Sequence, residues 1–162
     1  MAQATPSKDP SSTRAEGRTV ALQTVMDARP DGQELGRVGG RPFKSNDVRD
    51  WVHAALHETL HHEGYAFADD SAVTLRPKIL KAYVDSIDVV KTAVVVLEVS
   101  YVRADGRAVR RVYRGQQSGV NWNSGEEEVM GALKKALQTC LRRFVVDVRE
   151  LTHPGNEALW RE

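Results

Sequence analysis

The sequence of 162 residues lacks several features that would assign it to a class directly. It has one cysteine, Cys140, so no internal disulfide can form, which fits a reducing compartment or a periplasmic domain that folds without one. It has no run of 18 or more apolar residues, which excludes an apolar membrane-spanning helix. The first twelve residues contain no apolar segment and do not form a signal peptide, so the chain as written predicts a cytoplasmic protein.

The sequence also lacks an excess of charge of one sign. Charged residues make up 28% of the chain, yet the formal net charge is only +1. Proteins that bind nucleic acid usually carry a surplus of lysine and arginine, so we expect no nucleic-acid partner.

The composition along the chain predicts three segments. Residues 1–17 contain proline, serine and charged residues without an apolar period, which predicts a flexible N-terminal tether. Residues 18–151 carry regular apolar patterns and form the predicted domain. Residues 152–162 follow the last helix, contain Pro154 and Gly155, and are expected to form a frayed tail.

Within the domain, the apolar periods predict the order β-α-β-β-β-α. A β-like run at 18–26 leads into a glycine- and proline-rich loop, and Ser45 is placed to cap a helix that Gly64 ends. Three strands are expected at 72–85, 92–103 and about 107–119, with a bulge or an edge position at Pro77 and a tight turn at 104–107. A capping box at Ser124 begins the final helix, so we expect an α+β domain with one mixed or antiparallel four-stranded sheet and two helices on one face.

The first helix contains a short motif of zinc peptidases. His57-Glu58-Thr59-Leu60-His61 matches the pattern H-E-x-x-H, in which two histidines bind Zn²⁺ and the glutamate acts as the general base. A third ligand is required, and where the extended motif has a further histidine this chain has Phe67. The helical period places His57 and His61 opposite the apolar stripe, towards solvent. We therefore favour an exposed polar face and expect no metal or other cofactor, with a small zinc hydrolase as the alternative.

The layout of the domain resembles a known family. The segments DARPDGQELGRVGG, HEGYAF and VTLRPKILKAYVD, followed by a hairpin and a C-terminal helix, resemble the YajG-like family of small bacterial envelope lipoproteins over roughly residues 18–151. The resemblance implies a periplasmic domain held at the outer membrane by a lipid on a cysteine near the start, and brings no catalytic residues. No cysteine precedes the domain, so that anchor is missing from this chain.

An arginine cluster provides the predicted contact surface. Arg107, Arg110, Arg111 and Arg114 lie around the hairpin and predict a basic patch for an anionic partner, although charged residues on a strand edge also serve to discourage strand addition. Trp122 is a candidate interface anchor. The sequence thus predicts a non-enzymatic accessory domain of the cell envelope that binds a protein partner or self-associates, with a cytoplasmic regulatory module as a weaker option.

Overall fold

The computed structural model describes residues 18–30, 34–38, 41–45, 47–87, 90–120 and 125–161. Its elements, in chain order, are β1 (Thr19–Leu22), β2 (Met26–Asp27), β3 (Gly36–Val38), β4 (Arg41–Phe43), α1 (Val48–His62), β5 (Ala66–Phe67), β6 (Val73–Ile87), β7 (Val90–Arg103), β8 (Ala108–Val120), α2 (Glu126–Thr152) and a short 3₁₀ turn (Glu157–Trp160). The α+β class and the two helices agree with the prediction.

The main sheet has six strands in the described residues, so the prediction of four is wrong. Its order is β5-β1-β6-β7-β8, and β2 pairs with β6 beyond the end of β1. The pairs of β1 with β5 and of β1 and β2 with β6 are parallel, whereas β6–β7 and β7–β8 are antiparallel. The sequence showed the four longer runs, but two-residue strands such as β2 and β5 carry no recognisable apolar period.

A proline explains why the predicted first strand is split in two. Leu22 pairs with Leu75 and Met26 pairs with Lys78, so residues 23–25 lie opposite only Arg76 and Pro77. Pro77 has no N–H and cannot donate a ladder hydrogen bond, which suits a place where pairing is interrupted. Towards β7, Pro77 pairs regularly with Val99, and a separate bulge of β6 lies at Leu80, between Ile79 and Lys81.

The predicted loop between β2 and α1 contains a small hairpin. β3 and β4 pair antiparallel, with Gly36 opposite Phe43. Leu35 is fully buried, and its backbone N–H donates to the Phe43 carbonyl at 2.7 Å while its carbonyl accepts from the Val84 N–H at 2.8 Å. The glycines and prolines predicted a loop here, but burial of Leu35 anchors the segment to β6.

The core lies between the helices and one face of the sheet. The alternate residues of β7 are fully buried, and they share one apolar cluster with residues from both helices (Ala93, Val95, Leu97, Val99 and Tyr101 from β7; Val52, Leu56 and Leu60 from α1; Leu133, Ala136, Cys140, Phe144 and Val148 from α2). The apolar stripe of α2 is buried throughout, and Cys140 lies within it. Both helices therefore cover the same face. We call the other face of β6–β8, which neither helix covers, the open face, although Val94 on it is buried.

The helix ends agree only in part with the prediction. α1 begins at Val48, and Asp47 precedes it without a side-chain cap. The Ser45 hydroxyl accepts a hydrogen bond from the Asp47 N–H at 3.2 Å, so it orders the preceding turn rather than the helix end. Gly64 ends the helix with a φ of 83°, as expected. α2 follows Gly125, and the predicted capping residue Ser124 lies outside the described residues.

The C-terminal residues pack on the domain rather than fraying. The 3₁₀ turn buries Trp160, which is 3% exposed, and burial of so large an apolar ring stabilises the packed tail. The predicted tether, residues 1–17, lies outside the described residues. Among the helices described, neither is both long and apolar enough to span a lipid bilayer.

Candidate functional site

The histidine motif of α1 lies on the surface. His57, Glu58 and His61 are exposed, and the His57 ring stacks on Phe67 with the centroids 4.1 Å apart. Glu58 lies 3.7 Å from His62. Within the described ranges, no group of three or more His, Cys, Asp or Glu side chains is placed to hold a metal ion. In the described residues, no third zinc ligand therefore lies beside His57 and His61.

The arginines of β8 do not form one patch, because side chains alternate between the two faces of a strand. Arg110 and Arg114 project from the open face of the sheet together with Val112, which is 58% exposed. Arg111 shares the opposite face with the buried residues Val109 and Tyr113, and remains exposed at the edge. The predicted cluster thus contributes two of its members to the open face.

Arg107 is engaged by its own chain at the hairpin turn. Its guanidinium donates to Asp105 at 2.7 Å and to Glu157 of the C-terminal turn at 2.9 Å. Arg103 donates to the same Glu157 at 2.8 Å and stacks over the Trp160 ring at 5.4 Å. Hydrogen bonds from these arginines lower the pKa of the Asp105 and Glu157 carboxyls. We therefore exclude Arg107 from the contact surface, and the predicted anchor Trp122 lies outside the described residues.

The strand register brings further cations onto the open face. Three rows cross the sheet from β6 through β7 to β8: Arg76–Ser100–Arg110, Lys78–Glu98–Val112 and Lys81–Val96–Arg114. We call the five cations of these rows the basic face: Arg76, Lys78, Lys81, Arg110 and Arg114. With strands about 4.8 Å apart and alternate residues about 6.8 Å apart, its corners enclose roughly 10 by 14 Å.

One carboxylate lies within the basic face. Glu98, whose side chain is 14% exposed, lies 3.4 Å from Lys78 and 3.8 Å from Arg110. Arg76, Lys81 and Arg114 form no ion pair with any described residue. The face therefore holds a local excess of positive charge in a protein whose net charge is only +1.

The cations of β6 were missed in the sequence. Arg76 and Lys78 follow strict alternation, but the bulge at Leu80 moves the next cation to Lys81, where a simple period of two places it on the wrong face. The segment RPKILK does show three cations within six residues, and this is the signal that an alternation test allowing one bulge would have found.

The hydrogen-bonded core beneath the hairpin joins the sheet to α2. The Tyr113 hydroxyl donates to Asp147 Oδ2 at 2.6 Å and lies 2.7 Å from the Tyr101 hydroxyl, which is therefore the donor of that second bond. Burial raises the pKa of both phenols above their ordinary range. Both hydroxyls are thus hydrogen-bonded, as buried polar groups in folded proteins usually are.

Comparison with known proteins identifies the fold but no family. No protein-family model matches the sequence, and no curated protein matches it at a significant level. Among solved structures, the chain is similar to protein XCC0632 from Xanthomonas campestris, of family DUF330, with a TM-score of 0.61 at 13% identity, covering 85% of this chain and 86% of that one. It is similar to the hypothetical protein CT253 from Chlamydia trachomatis, with a TM-score of 0.57 at 11% identity over 82% and 95% of the two chains.

A third similar structure is a lipoprotein. GNA1162 from Neisseria meningitidis matches with a TM-score of 0.50 at 9% identity, covering 80% of this chain and 99% of that one. At these identities the likeness concerns the fold alone. The chain thus has an α+β fold that occurs in bacterial lipoproteins, and the comparisons do not single out the YajG-like family.

Proposed function

We propose that this protein is a non-enzymatic accessory domain of the bacterial cell envelope that binds an acidic protein partner through its basic face. The observation that carries the proposal is the register of β6, β7 and β8, which sets five cations on an open sheet face. The envelope is supported by the fold, which bacterial lipoproteins share, and by the resemblance of the sequence to envelope lipoproteins.

The composition of the basic face favours an acidic protein over a membrane surface. Glu98 lies in the middle row and neutralises part of the charge of Lys78 and Arg110, so the free positive charge is divided into separate points that suit discrete carboxylates better than a continuous layer of lipid phosphates. Val112, more than half exposed beside Arg110 and Arg114, offers an apolar contact between two charges. Discrete carboxylates around an apolar side chain match this arrangement, since interfaces place complementary charge around a desolvated centre.

The proposal is tested by removing the three cations that have no described partner. The variant Arg76→Gln/Lys81→Gln/Arg114→Gln should bind polyglutamate about tenfold more weakly than the wild type at low salt, because exposed ion pairs contribute about 0.2–1 kcal/mol each. The matched control is Arg49→Gln/Lys134→Gln/Arg142→Gln, which removes the same charge from exposed positions of the helices. Titration by fluorescence anisotropy measures both.

Two results would overturn the proposal. Equal weakening in the two triple variants would show that net charge, and not the basic face, determines binding. Binding of the wild type to vesicles rich in phosphatidylglycerol but not to polyglutamate would assign the face to lipid headgroups instead of protein.

A further inference from the structure

We infer that the acidic partner adds a β-strand to the free edge of β8, and that this strand carries two acidic side chains four residues apart with an apolar residue midway. The inference rests on the proposed function and specifies how the basic face is engaged. It follows from the length of the edge, from the direction of its backbone groups and from the side chains beside it.

The free edge of β8 is long. β8 is the last strand in the order of the main sheet and has 13 residues, and no described strand pairs with its outer side. At the opposite edge, β5 has only two residues. An unpaired edge presents N–H and C=O groups that a strand of another chain can bind, and proteins usually keep such edges short.

The register determines which residues of β8 present these groups. The Arg103 N–H donates to the Arg107 carbonyl at 2.8 Å, so these two residues form a hydrogen-bonded pair of the hairpin. In an antiparallel ladder, hydrogen-bonded pairs alternate with pairs whose backbone groups point away from each other. The outward groups of β8 therefore belong to the even-numbered residues, among them Arg110, Val112 and Arg114.

These same residues project their side chains onto the open face of the sheet. A strand added antiparallel to β8 would place every second residue directly beside Arg114, Val112 and Arg110 in turn, with Cα atoms about 5.5 Å apart. Carboxylates beside the two arginines and an aliphatic side chain beside Val112 complement them. The partner strand therefore has the pattern acidic-x-apolar-x-acidic.

A second copy of this chain fits the edge less well than an acidic strand. Symmetric pairing of two β8 strands centred on Val112 would put Arg110 of one copy beside Arg114 of the other, twice. Like charges directly opposite each other on a sheet are destabilising. Charge thus favours a partner with carboxylates at these positions.

The experiment uses the wild-type protein and twelve-residue synthetic peptides with the core Glu-Thr-Val-Thr-Glu flanked by serine and threonine. The patterned peptide should bind at least about tenfold more tightly than a peptide of equal composition in which the glutamates are adjacent. N-methylation of the central valine, whose N–H faces β8, should weaken binding about tenfold. N-methylation of a neighbouring threonine, whose N–H points away from β8, should leave binding within about twofold.

A variant of the protein tests strand addition independently of the modified peptides. Val112→Pro removes one outward N–H but no charge, so it should lose the patterned peptide while binding polyglutamate like the matched control Val112→Ala. Strand addition would be overturned if the two N-methylated peptides bound equally well. It would also be overturned if the patterned peptide bound no better than the peptide with adjacent glutamates. Polyglutamate binding would then still test the proposed function separately. A dimer of the free protein that Val112→Pro dissociates would also overturn the inference, by making a second copy the occupant of the edge.

Discussion

Gly115 of β8 lies against the backbone of α2, where there is no room for a side chain. A Cβ at this position would lie 1.7 Å from the Ala136 carbonyl oxygen and 3.0 Å from Cys140 Sγ. Since backbone cannot yield as a flexible side chain can, any larger residue must push the helix away from the sheet.

We predict that Gly115→Ala lowers the free energy of unfolding by about 3 kcal/mol, at the upper end of overpacking costs. Gly131→Ala is the control, because Gly131 lies in α2 with open space around it, and its replacement should stabilise the protein by up to about 1 kcal/mol. Urea unfolding followed by circular dichroism measures both variants. A shift of the same sign in the two would contradict the packing explanation.

The two buried phenols predict how stability depends on alkaline pH. Their folded-state pKa values are raised by burial, so their contribution to stability is complete below the unfolded value of about 10 and is lost as the pH rises above it. Tyr101→Phe removes one of these groups while Tyr113 keeps its acceptor, Asp147. The free energy of unfolding between pH 9 and about pH 11 should therefore fall less steeply in Tyr101→Phe than in the wild type. If the free energy of unfolding falls equally steeply with pH in both proteins, the buried phenols are not the cause of the alkaline loss of stability.

At the level of elements, the C-terminal 3₁₀ turn packs against the β7–β8 hairpin and stabilises it. Trp160 is buried and Glu157 bridges two arginines of the hairpin. Trp160→Ala should lower the free energy of unfolding by about 3 kcal/mol because it leaves a cavity. Glu157→Gln should change it much less, since its ion pairs are exposed. Thermal unfolding tests whether Trp160→Ala destabilises the protein more than Glu157→Gln does. Equal losses of stability in the two variants would show that the ion pairs hold the turn.

The longer elements could be predicted from the sequence, and the short ones could not. α2 and β7 carry apolar periods that match their geometry over many residues, so local pattern alone defines them. Three features depend on contacts between distant segments. They are the interruption between β1 and β2 opposite Pro77 of β6, the attachment of the β3–β4 hairpin to β6 through Leu35, and the burial of Trp160. The spacing of apolar residues within one segment does not reveal such contacts.

At the level of the whole molecule, the candidate site depends on topology. The arginines of β8 were visible in the sequence, but their division between two faces and the cations of β6 follow only from the register across β7. Because a shift of one residue would exchange the faces, composition alone could not show which charges lie together.

The unequal edges of the sheet also limit how the protein can assemble. Among the described strands, β8 offers a free edge of thirteen residues, whereas β5, the last strand on the other side, has two. A guest strand held at β8 should therefore give one-to-one complexes, because β5 is too short to hold the same strand.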